Sequence, residues 1–149
     1  MKTNCYSTNC LFLYKAIVFL CLSMYSVSCS TKMTYSKELI HTVTGAIQEE
    51  LVHYDTIIII PSSGCSGCLT KAESVFLSHH EQEEFLFIFT GFFSEKSLSI
   101  RFGGSTSIYK KNVILDEDGI FYLSDYPDVI YPYQLQVKNG KIIKAKPLS

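Results

Sequence analysis

Between residues 36 and 52, apolar side chains recur every third or fourth position, at Leu39, Ile40, Val43, Ile47 and Leu51. That is the period of a helix with one buried face. The pattern then changes. Residues 56–60 form a short β-branched run without a polar face, as a strand buried on both sides requires. Pro61-Ser62-Ser63-Gly64 interrupts it, and a second helical period follows in Leu69, Ala72, Val75 and Phe76. Residues 84–90 read as another buried strand, and residues 96–100 as a short helix ended by Gly103-Gly104. Asp116-Glu117-Asp118-Gly119 is a turn signal between two apolar stretches, 112–115 and 119–122. Residues 133–137 and 141–145 alternate around Lys138-Asn139-Gly140, a strong hairpin signature. Helix, strand, helix, strand and a terminal hairpin together predict an α/β domain whose sheet mixes strand directions.

The first 28 residues are expected to stand outside that domain. Lys2 and Lys15 precede an apolar run, 16–27, of the length of a signal-peptide core. The run is short of the roughly 20 apolar residues that a membrane span needs. It closes on Ser26-Val27-Ser28-Cys29, small residues before a cysteine, and so resembles the lipobox of bacterial lipoproteins, with Ser26 where leucine is usual. The resemblance implies that residues 1–28 are removed and that Cys29 becomes the acylated N-terminus. Residues 29–35 then form a tether of at most roughly 24 Å, and residues 36–149 the folded domain.

Composition agrees with one small domain. The chain has 149 residues, 47% hydrophobic and 18% charged, enough apolar material for a single core. Thirteen basic residues against fourteen acidic ones argue against a nucleic-acid partner. Of the six cysteines, Cys5, Cys10 and Cys21 would leave with the signal and Cys29 would carry lipid. Cys65 and Cys68 remain, which suffices for one reversible pair but not for a disulfide scaffold.

The pair forms Cys65-Ser66-Gly67-Cys68, directly after a predicted buried strand and at the opening of a helix. Free N–H groups and the helix dipole at such a position favour a thiolate, which makes the thiol reactive near neutral pH. Cys65 is assigned as the nucleophile and Cys68 as the resolving thiol, with exchange passing through a mixed disulfide. Gly64 and Gly67 leave room for another chain to approach. Two other readings compete: half of a zinc site, which lacks the remaining ligands, and an inert local disulfide. No metal site and no dissociable cofactor are expected.

In this context the chain resembles the thioredoxin superfamily, and most of all envelope thiol-disulfide lipoproteins of the TlpA/ResA type. The resemblance rests on residues 57–68 and 129–143. It implies a thioredoxin-like fold, a mixed central sheet flanked by helices with a C-terminal hairpin. Pro132 matches the family's cis-proline, which implies that Tyr131-Pro132 lies beside Cys65 and shapes a substrate groove together with Gly64, Ser66 and Gly67. It also implies thiol-disulfide exchange, reductive in direction, on cysteine-containing envelope proteins, with an upstream redox partner. The implied location is the periplasmic side of a Gram-negative envelope, with membrane attachment through the lipid. There are departures. Gly64 replaces a large residue, Ser66-Gly67 lacks the frequent proline, Ile59 replaces a buried acid, and Glu73 replaces a helix-kinking proline. The family's last helix is missing after the hairpin, which is expected to leave an apolar sheet face beside the cysteine helix, suited to a partner or to self-association. The alternative is a non-catalytic lipoprotein of the same fold, holding a protein partner or a soft metal ion such as Cu(I).

Overall fold

A computed structural model describes residues 34–91, 94–102 and 110–148. The signal peptide, Cys29, nearly all of the tether and Gly103-Gly104 lie outside the described residues.

Helix α1 (Tyr35–Ile47) buries Tyr35, Leu39, Val43 and Ile47 along one stripe. It ends sooner than the pattern predicts, and a separate 3-10 turn, Glu50–His53, carries Leu51 into the core. The spacing from Ile47 to Leu51 suits a continued helix and a tightened turn equally, so periodicity alone does not place the break. Strand β1 (Thr56–Pro61) follows, then α2 (Ser66–His79), β2 (Phe85–Thr90), the short α3 (Glu95–Arg101) and β3 (Val113–Asp116). Ser94 caps α3 by accepting the Ser97 N–H at 3.1 Å. A 3-10 turn, Pro127–Ile130, leads into the hairpin of β4 (Tyr133–Lys138) and β5 (Lys141–Pro147).

The five strands lie in the order β3-β2-β1-β4-β5. β1, β2 and β3 run parallel, whereas β4 runs antiparallel to β1 and to β5. One face of the sheet, with Ile57, Ile59, Leu86, Ile88 and Leu135, packs on α1. The other, with Ile58, Ile60, Phe87 and Phe89, packs on α2 and α3. Phe76 of α2 is fully buried and meets Phe87 and Phe89 edge-on at 5.1 and 5.2 Å. This is a thioredoxin-like architecture, a mixed sheet with helices on both faces and a hairpin as its last element.

The stretch 119–122, apolar in sequence, is turn and coil. The Asp116 carboxylate gathers it, accepting the Thr90 hydroxyl and the N–H groups of Ile120 and Phe121. The part of the sheet beside α2 that no described helix covers is polar, not apolar. There β4 and β5 present Gln134 opposite Lys146, Gln136 opposite Lys144, and Lys138 opposite Lys141. Val137, Leu135, Ile142 and Ala145 all point to the α1 side, where the core is. Strand alternation in β4, and in β5 a register shift that leaves Ile143 unpaired and 61% exposed, send the polar residues outward.

Candidate redox site

Strand β1 ends at Pro61 where the sheet changes direction. From there the chain crosses through α2 to β2 on one side, while β4 arrives on the other with Tyr133 opposite Ile59. The carboxyl end of a parallel strand at such a switch point is where α/β sheets place their sites. Two loops meet there, residues 62–65 before α2 and residues 130–132 before β4. The contact is close. A Cβ on Gly64 would overlap the carbonyl oxygen of Ile130, a backbone atom with no freedom to retreat. Glycine is therefore required at 64 by the protein's own loop.

Cys65 is the N-cap of α2, in an extended conformation, and its carbonyl takes the Leu69 N–H at 2.9 Å. Cys68 sits in the first turn. The N-cap side chain and the third helical residue lie over the same end of a helix, and here their sulfurs are 2.7 Å apart, with the Cys68 thiol donating to Cys65 Sγ. Both cysteines are half-buried, and no disulfide joins them. The proton donated by Cys68 holds the Cys65 thiol below the ordinary cysteine range, helped by the backbone N–H groups of Cys68 and Gly67 against a small opposing effect of burial. Cys68 moves the other way, because ionising it would break that hydrogen bond and place it beside the Cys65 charge. The two thiols thus differ in acidity in the order a nucleophile and a resolving thiol need.

Ser66 and Gly67 are exposed, and a Cβ on Gly67 would meet nothing within 4 Å. Ile130 and Tyr131 are 40% and 38% exposed, large apolar groups at the rim. Pro132 is buried, and its carbonyl accepts the Leu148 N–H at 2.8 Å. The structure thus brings Gly64 against Ile130 at the mouth of α2, whereas the resemblance implies a cis-proline there and Tyr131–Pro132 is a trans peptide. Trans is the favoured isomer by about 0.5–1 kcal/mol even before proline. Here the loop reaches the cysteine turn through the Ile130 carbonyl instead.

Sequence reading passed over Ile130 and the tyrosines behind it. Tyr35 meets Tyr133 at 4.8 Å and Tyr126 at 5.7 Å, both edge-on, bracing the 126–133 segment from beneath. Burial, reinforced by Tyr133, pushes the Tyr35 hydroxyl far above its ordinary range, and burial followed by Asp128 does the same more mildly for Tyr133. Both phenols stay neutral and serve as packing. The signal that could have found this contact was Gly64 itself, a glycine where a large residue is usual. Ile59, in place of an acid, is buried and apolar, and the Asp116 carboxylate is committed to three donors. The concavity lined by His53, His80, Glu81 and Lys110 lies at the opposite end of the sheet.

Comparison with protein-family models, with curated proteins and with solved structures returns no match for this chain. The likeness to thioredoxins is carried by sheet order and by the place of the cysteine pair.

Proposed function

We propose that the protein is a thiol-disulfide exchange protein of the TlpA/ResA type, acting on cysteine-containing proteins of the cell envelope. The Cys65 thiolate attacks one sulfur of a partner disulfide. A Cys65–partner disulfide forms as the partner's own S–S bond breaks, and the released partner sulfur takes up a proton. Cys68 loses its proton and attacks Cys65 Sγ, which releases the second partner sulfur as a thiol. Two electrons pass to the partner, and Cys65–Cys68 is left as a disulfide for an upstream dithiol to reduce. Tyr131 and Ile130 would flank the incoming chain, with Ser66 and Gly67 leaving its path open. What supports the reading above all is the contact between two unbonded thiols at the start of α2, with Cys65 acidified by Cys68. The periplasmic address and the lipid on Cys29 belong to the same proposal, supported by the order of Lys15, the apolar run and the small residues before Cys29.

The test is a trap. With Cys68→Ala expressed in a Gram-negative envelope, mass spectrometry is expected to find envelope proteins disulfide-linked to Cys65, and none with Cys65→Ala. A correctly localised protein that captures nothing would overturn the reading in favour of a non-catalytic one.

A further inference from the structure

We propose that the uncovered face of the β4–β5 hairpin is a docking floor for an acidic polypeptide segment continuous with the partner's cysteine. The inference rests on the exchange reading above. Six polar side chains lie on this face, and four are lysines: Lys138, Lys141, Lys144 and Lys146; the register shift in β5 that brings Lys141 into line with Lys144 also leaves Ile143 between them 61% exposed. All four are exposed, none of them forms an ion pair among the described residues, and the two other positions are Gln134 and Gln136. None of the chain's fourteen acidic residues, which outnumber its bases, falls on these strand positions. Lys138 stands directly opposite Lys141, an arrangement that costs stability in a sheet pair. A face that needed only solubility would be served better by mixed charge.

The position of the face selects the occupant. Helix α2 packs over β1 and β2, and rises about 10 Å, one helix diameter, above the sheet. The lysine face is therefore a floor beside a wall, open to a chain but recessed from a flat bilayer. Its upper end is next to the site: Lys146 pairs with Gln134, Pro147 with Tyr133, and Leu148 bonds Pro132. A polypeptide linked to Cys65 and passing Pro132 continues onto Gln134, Lys146 and Lys144. Opposite charge there would speed encounter and fix orientation.

The experiment compares two disulfide-bonded peptides as substrates of the reduced full chain, one with Asp/Glu flanking its cysteine and one with Asn/Gln. At low salt the acidic probe is expected to react at least about tenfold faster, with the ratio falling toward one in 0.5 M NaCl, where screening is complete within a few ångströms. K138Q/K141Q/K144Q/K146Q should bring the ratio to about one at low salt, whereas Lys37→Gln, on α1, should keep it. If the fourfold variant aggregates, as loss of lysines from an edge strand can cause, K144Q/K146Q gives the same reading at the end nearest the thiols. Equal rates for both probes in the unmodified protein would overturn the docking floor and leave exchange standing. Reaction with neither probe would remove the exchange reading, and the floor with it. Equal rates combined with lysine-dependent binding to phosphatidylglycerol vesicles would assign the face to lipid and overturn the proposal.

Discussion

The exchange chemistry proposed for this molecule turns on a single hydrogen bond between two sulfurs. Because Cys68 donates to Cys65, Cys65 ionises below the ordinary cysteine value, and its reactivity should climb with pH about a midpoint below that value. Removing the donor shifts the climb upward in pH. Cys68→Ala is expected to raise the Cys65 pKa, and Cys68→Ser, which keeps a hydroxyl donor, to raise it less; thiolate absorbance against pH reads both. A Cys65 pKa unchanged from the parent in both variants would show that the backbone N–H groups alone acidify it. Gly64 acts by having no side chain. Gly64→Ala forces the cysteine turn off the Ile130 carbonyl and is expected to cost about 1–3 kcal/mol, measured by urea denaturation, with the exchange rate falling as the mouth of the site shifts. From sequence, this glycine looked like space for a substrate; the neighbour that fills it lies sixty-six positions away and has no local signature.

At the level of elements, legibility followed periodicity. The strands at 56–61 and 85–90 and the helix at 66–79 are long, uniform patterns, and they stand close to where the pattern puts them. The hairpin was equally legible, since Asn139 and Gly140 take positive φ values of 52° and 68°, as a two-residue primed turn requires. The pattern was silent where one residue's side chain takes over from a repeating backbone. Asp116 converts the apolar residues after it into a turn by binding their N–H groups, which a hydrophobicity pattern does not register. Asp116→Ala should strand those two donors and the Thr90 hydroxyl, at a cost of about 3 kcal/mol or more. Thermal unfolding measures the loss, and a variant as stable as the parent would show that the turn holds without its carboxylate.

For the molecule as a whole, the resemblance was a good guide to sheet order and a poor one to surface. The β1–β4 pairing sets Tyr133 opposite Ile59, and Gly64 meets Ile130 above it. The resemblance also led to an expected apolar face, because that face is apolar where a helix covers it. The residues said otherwise: Gln134, Gln136 and the lysines were visible in the sequence, although Lys141 shares a face with Lys144 only because the register of β5 shifts between them. The trans peptide before Pro132 was not legible, since the isomer depends on how the whole loop packs.

The contacts of Tyr35 with Tyr133 and of Leu148 with Pro132 carry a practical corollary. Tyr35 and Leu148 both lie beside the start of β4, at the end of the sheet that bears the thiols. The Asn139-Gly140 tip, at the far end of the sheet, is where a label can be grafted while leaving the chemistry in the open.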